Sequence, residues 1–332
     1  MKRIALAAAA AGLLMTSSAM AEVELRYATA APEPTPWGKF LLDSKVDVEK
    51  AASDLKLNIF FSSQLGDEQT TIRQVVRGRI DISGQSGVAT SLIVPEFALL
   101  GAPFLFDSPK QSDCVFDKHV RPIFEGKMQD SGLVTLSWVE VGQPLVVSKT
   151  PIKTIADVKN YKLRIPPAQT SAQYYKVAGA AGVPMGVVDM VPALKTGQVD
   201  GIHTSIVYGI AIGLPKLAPN ILTVPMFTHD IGTVTVSKKV WDKLSPAHQD
   251  ALKLIDARVN ELRTAIRGAE VGLLKKTAAA GVPVYTPTEA EQAEWKAAAA
   301  PAHKALVESI GGDAANIWQR IQDAKKACSG NT

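Results

Sequence analysis

The sequence predicts an α/β protein of two lobes with one long helix reaching across both, and three observations lead there. Strand-like and helix-like segments alternate as β-α-β-α-β between Val23 and Ser83. The same idiom restarts at Lys162, and a stretch without an internal proline, from Pro246 to about Ala280, carries apolar residues at helical spacing. Strands that alternate with helices build a parallel sheet. With 332 residues, 46% apolar and 20% charged, the chain can bury a sizeable core in one or two domains.

At the amino terminus Lys2 and Arg3 precede an apolar run, Ile4 to Met15, and small residues ending Ala19-Met20-Ala21. About 12 apolar residues cannot cross a hydrocarbon core that needs about 20, so this segment reads as a secretory signal cleaved after Ala21. No Cys stands at the cleavage site, so a free periplasmic protein is expected rather than a lipoprotein. The net charge of +4 is small and evenly scattered, which gives none of the basic footprint that nucleic-acid affinity requires.

In the first half, Val23 to Ala28 alternates as a strand, Pro32 to Pro36 interrupts it, and a helix follows from about Trp37 to Leu55. Leu57 to Phe61 is the next strand, a helix runs through Arg77, Gly78 stops it, and Ile80 to Ser83 returns as a strand. In the second half the strands are Lys162 to Ile165 and Val183 to Met185, and the helices Thr170 to Ala178 and Val188 to Lys195. Val76-Arg77-Gly78-Arg79-Ile80-Asp81 is echoed by Lys195-Thr196-Gly197-Gln198-Val199-Asp200. Both read as helix, glycine stop, apolar residue and an Asp at a strand start, which suggests two lobes of related plan, although two ordinary αβ units could agree by chance.

Leu252, Ile255, Val259, Leu262 and Ile266 then recur on one face of a helix. At 1.5 Å per residue that helix would run roughly 50 Å, longer than a small lobe is wide, with Gly268 and Gly272 as places to bend. The tail from Thr288 to Lys325 reads as two helices separated by Gly311-Gly312, with Thr288 and Glu291 as a capping box.

Two cysteines remain, Cys114 and Cys328. Export to an oxidising compartment predicts a structural bridge; the alternative is two thiols, Cys114 on a helix and Cys328 loose in the polar tail.

Catalytic constellations are missing. The five histidines, His119, His203, His229, His248 and His303, lie apart with no carboxylate at metal-ligand spacing, so neither metal nor cofactor is indicated. There is no HExxH, GxSxG, GxGxxG or Walker loop. Asp67-Glu68 reads as a solvated face. What stands out is Tyr161-Lys162-Leu163-Arg164-Ile165-Pro166, an arginine inside an apolar strand that ends at a proline. A guanidinium fork matches a carboxylate with two parallel hydrogen bonds, so Arg164 suits an anion clamp. It also suits a structural salt bridge, and the residues alone leave both open.

Six segments taken in order resemble the extracytoplasmic solute-binding proteins of TRAP (tripartite ATP-independent periplasmic) transporters, the DctP-like family. They are Ser63-Gln64-Leu65-Gly66, Gly101-Ala102-Pro103-Phe104-Leu105-Phe106, Ile155-Ala156-Asp157-Val158-Lys159 with Lys162-Leu163-Arg164-Ile165-Pro166, Val183-Pro184-Met185, Ala193 to Gly201, and Trp241-Asp242-Lys243-Leu244-Ser245-Pro246. The resemblance implies a two-lobed periplasmic binding protein fold that closes on a small organic acid and delivers it to a small and a large integral membrane subunit. The implied division is a signal peptide over 1–21, a first lobe of 22–141 and 228–265, and a second of 142–227 and 266–332.

The family's arginine falls on Arg164, which the resemblance makes the carboxylate clamp. Thr204 stands where the family usually has Asn in an Asp-Gly-x-x-Asn stretch, keeping a hydroxyl and losing the amide. Some sialic-acid-type members carry a second arginine upstream, where this chain has Gly142-Gln143-Pro144. By register Ser86, Ala168, Val187 and His229 are further lining positions, and Trp138 and Gln143 bracket the hinge crossing, although each of these also fits packing. Two other readings share the cleft: an ABC-type binding protein, and a periplasmic enzyme using His203 or His229 as base.

Overall fold

A computed structural model describes residues 22–223 and 229–331, so the expected signal peptide lies outside the described residues. Eleven strands are described: β1 (Val23–Thr29), β2 (Leu55–Phe60), β3 (Ile82–Ser86), β4 (Leu133–Gly142), β5 (Pro144–Ser148), β6 (Lys162–Ile165), β7 (Ala181–Pro184), β8 (Gly201–Ser205), β9 (Asn220–Leu222), β10 (Asp230–Ser237) and β11 (Val284–Tyr285). They form two sheets, ordered β2-β1-β3-β10-β4 and β11-β9-β5-β8-β6-β7. This is the expected α/β architecture of two lobes.

Neither sheet is purely parallel, contrary to expectation. β1 runs parallel to β2 and β3, but β10 is antiparallel to both β3 and β4. In the second sheet β6 is parallel to β7 and β8, while β5 is antiparallel to β8 and β9. The reason is topological. The chain passes directly from β4 in the first sheet to β5 in the second, and β10 returns to the first, so one strand of each sheet arrives from the opposite end.

The echoed segments share their geometry. Gly78 (φ 73°) and Gly197 (φ 76°) both adopt the left-handed conformation that ends a helix without Cβ strain, and β3 and β8 each begin one residue after the matching Asp.

The long helical run is bipartite. Pro246–Lys253 and Val259–Ala279 are α-helical, and the tighter turn Leu254–Arg258 joins them. Gly268 and Gly272 lie inside the second helix, so the irregularity precedes both. Leu252, Ile255, Leu262 and Ile266 bury in the first lobe with Leu25, Leu41 and Val234, whereas Leu274 packs on the second lobe's core around Leu145 and Ile202. The helix therefore spans both lobes.

The tail forms three helices, not two: Glu289–Ala297, Ala299–Ile310 and Ala314–Ala327. Pro301 has no N–H to continue the first and would crowd the carbonyl of Ala297, which explains the break. The Thr288/Glu291 capping box is present. Trp295 and Ala302 pack in the second lobe beside Val146 and Leu163, but Ile317 and Ile321 pack in the first beside Phe97 and Phe124. The last helix thus departs from an allotment of 266–332 to the second lobe. The Cys114–Cys328 disulfide fixes its end there, with Cys328 fully buried rather than loose.

Candidate functional site

The sheets turn the carboxyl ends of their parallel strands toward each other, which is where open α/β sheets leave space for ligands. Residues after β1 (Ala30 to Pro32), the end of β3 (Ser86), residues after β6 (Pro166, Pro167) and the end of β8 (Thr204, Ser205) line one cavity of about 110 Å³. The lobes already touch across it. The Thr170 hydroxyl donates to the Ala98 carbonyl at 2.8 Å, and Gly186 lies so near Asp67 that a Cβ would stand 2.9 Å from its Oδ2.

Arg164 dominates this cavity. Leu163 and Ile165 anchor β6 in the core, and Pro166 ends the strand, so the guanidinium between them is delivered at the cleft with 2% exposure. Its Nε and Nη2 donate to the Met185 carbonyl at 3.0 and 2.7 Å, and its Nη1 donates to the His203 carbonyl at 2.6 Å. These backbone acceptors fix the plane of the group without neutralising it, and among the described residues it forms no salt bridge. A guanidinium has five N–H donors; three are used, leaving one on each terminal nitrogen. Burial pulls its pKa down to about 10, opposed by Tyr208, Glu68 and Asp189, and it remains cationic at neutral pH.

Facing it from the first lobe is Glu68, which the sequence reading assigned to a solvated surface. It instead lines the cavity, half-buried, at the first turn of the helix Glu68–Val76. Its carboxylate accepts from the Ser86 backbone N–H at 2.8 Å and the Ser86 hydroxyl at 2.7 Å. Burial nevertheless raises its pKa, the two Ser86 bonds acting the other way. Asp230, at the start of β10, also lines the cavity, and burial pushes it up to about 7.

Of the expected site residues, Arg164, Thr204, Ser86 and Val187 come together around this cavity. Ala168 lies on an adjoining one, which Ser86 also lines. Three line neither. Trp138 is core, its ring stacked on Phe97 at 5.5 Å. Gln143 sits on the crossing between sheets, where its backbone N–H donates to the buried Glu270 of the long helix and its carbonyl accepts from Ile206. His229 faces Glu270 at 3.5 Å and Glu140 at 3.8 Å; burial acts to lower its pKa, but these carboxylates raise it. Glu68, Asp230, Tyr208 and Tyr175 were missed. The signal for Glu68 was its place directly after a strand-to-helix turn, at the ligand-facing edge of a parallel sheet.

No group of described residues could hold a metal ion, and no helix among them is long and apolar enough to cross a membrane. What the arrangement can do is hold an anion between two walls.

Known proteins resemble this chain in sequence and in fold. The sequence profile of DctP, bacterial extracellular solute-binding protein family 7, matches residues 27–309. The chain is 25% identical over 273 residues to the sialic acid-binding periplasmic protein SiaP of Vibrio cholerae, covering 79% of this chain and 81% of that one. Its structure is similar to that of the sugar acid binding protein DctPAm of Advenella mimigardefordensis in complex with galactonate, with a TM-score of 0.88, 24% identity, and 93% and 99% of the two chains covered. A TRAP periplasmic solute binding protein of Polaromonas sp. bound to D-erythronate gives a TM-score of 0.84 at 23% identity, over 92% and 98% of the chains.

Proposed function

The chain belongs to the bacterial extracellular solute-binding proteins of family 7, and from that premise we propose that it captures a small organic acid in the periplasm. It then hands the acid, chemically unchanged, to the small and large integral membrane subunits of a TRAP transporter. The observation that carries this is Arg164: a buried cation locked by two backbone carbonyls, with one N–H left on each terminal nitrogen beside an enclosed cavity. A carboxylate supplies the two acceptors and the negative charge which that group has no partner for among the described residues.

The cavity, about 110 Å³, is somewhat smaller than the ~150 Å³ that admits a benzene-sized molecule, so the ligand is small. Galactonate and D-erythronate, held by the two structurally similar proteins, are likewise carboxylic acids. The Arg164 wall and the Glu68 wall belong to different lobes, so ligand held between them favours the closed state, and binding energy drives the hinge. Export follows from the amino-terminal segment, with the mature chain beginning at Glu22; the Cys114–Cys328 bridge suits that compartment.

A thermal-shift screen of mono-, hydroxy-, keto- and dicarboxylic acids on the mature protein tests the reading. An acid at about 100 times its Kd stabilises by roughly 2.7 kcal/mol, an easily seen rise in Tm. A protein that responds to no acid, or that consumes the acid it binds, would contradict it.

A further inference from the structure

The Arg164 cavity adjoins a second of about 60 Å³, the two sharing Ser86, Val88, Pro166 and Asp230. This second cavity contains polar groups that the fold itself does not use. The His203 imidazole is 7% exposed and neither ring nitrogen has a hydrogen-bond partner; the Tyr175 phenol is 1% exposed and its hydroxyl has none either. The two rings meet edge to face with centroids 5.5 Å apart. An unsatisfied buried polar group is costly to a fold, so two of them side by side, next to a ligand cavity, indicate partners that arrive with the ligand.

The chemistry of those partners follows from the lining. Burial, reinforced by the Arg164 charge, holds His203 down to about 3, so its ring is neutral, with one N–H donor and one bare nitrogen acceptor. Burial keeps the Tyr175 hydroxyl protonated, able to donate and accept. Among the described residues no lysine or arginine lines this cavity, and its one ionisable acid, Asp230, is an acceptor when charged. A second carboxylate placed here would be a buried charge without a cation, facing another carboxylate. A hydroxyl both donates and accepts, and matches the set.

We infer that the second cavity is a subsite for a hydroxyl group on the far end of the acid whose carboxylate Arg164 holds, so that the protein selects hydroxylated monocarboxylates over dicarboxylates. This rests on the carboxylate-clamp reading above and specifies the other end of the ligand.

The test uses calorimetric titration of the mature protein with the terminal hydroxy acids of the butyrate, valerate and caproate series. Each is set beside its unsubstituted acid, its terminal amino acid and its dicarboxylate. The expected result is that at one chain length the hydroxy acid binds about 10-fold or more tightly than the other three, because a site built for a hydroxyl is left unpaired by its absence. Tyr175→Phe, which removes only the oxygen, should then cut the advantage of the hydroxy acid over the unsubstituted acid several-fold. Equal or better binding of the unsubstituted, amino or dicarboxylic acid overturns the inference, and so does an advantage that survives Tyr175→Phe undiminished. Should that variant not fold, the ranking on the unaltered protein decides alone. Acids that bind without any hydroxyl preference refute this subsite only; if no acid binds, or if Arg164→Lys binds as well as the parent, the clamp fails and this inference with it.

Discussion

Replacing Arg164 by Lys should weaken acid binding by roughly two orders of magnitude while leaving a folded protein. Lysine keeps the charge but not the fork. In the parent, three N–H groups are committed to Met185 and His203 carbonyls, and the two that remain sit on different terminal nitrogens of one rigid plane. A lysine ammonium has three donors on one atom, so satisfying the buried carbonyls of Met185 and His203 leaves one for the ligand. The loss is one charge-assisted hydrogen bond, about 1.5–3 kcal/mol, or about 10- to 150-fold in Kd, with lost planar registration pushing toward the upper end. Arg164→Ala should abolish binding but also strand both carbonyls, at about 1–3 kcal/mol each, so its Tm should fall as well. Calorimetric titration with the best acid gives Kd, and circular dichroism confirms the fold. A folded Lys variant with an unchanged Kd would refute the reasoning, since the charge alone would then suffice.

Three other outcomes follow from the same geometry. Gly186→Val places a side chain against Asp67, whose carboxylate is already bound to the Thr70 N–H, and should weaken acid binding about 10-fold by propping the cleft, with little change in the Tm of the unliganded protein. Replacing Cys114 and Cys328 together by Ser opens a bridge across 214 positions and should cost about 2–5 kcal/mol, read as a lower midpoint in urea or heat. Asp230 has a folded pKa raised to about 7, so the folded state retains a proton that the unfolded chain releases near pH 4, and stability is lost as pH rises between those values. Asp230→Asn should flatten that decline, worth about 1–2 kcal/mol by pH 8 once its partial exposure to the cleft is allowed for; a parent Tm that holds level from pH 5 to 8 would argue against it.

Much of the frame was legible because its signals are local. The strand periodicity of 23–28, the glycine stops at Gly78 and Gly197, and the Thr288 capping box each depend on a few neighbouring residues, and all three elements are present in the structure. The pairing of β4 with β10 was not legible. It joins segments far apart in the chain, and the antiparallel direction follows from where the chain crosses between lobes. The site divides the same way. Arg164 announced itself as a charge in an apolar strand, whereas Glu68 looked like half of a surface acid pair, because nothing local shows that the second lobe closes over it. Trp138 is the converse case: a tryptophan near the crossing suggested a ligand wall, and its stacking on Phe97 uses the ring for the core.

The central claim is that ligand closes two lobes, and small-angle X-ray scattering of the mature protein with and without its acid tests it most directly. Thr170 bonded to Ala98 and Gly186 against Asp67 are contacts of a closed cleft, and among the described residues no carboxylate forms a salt bridge to the buried Arg164 that such closure encloses. The account predicts a larger radius of gyration for the free protein, contraction when the acid is added, and no contraction in Arg164→Ala. A radius that stays the same on tight binding of the acid would contradict it.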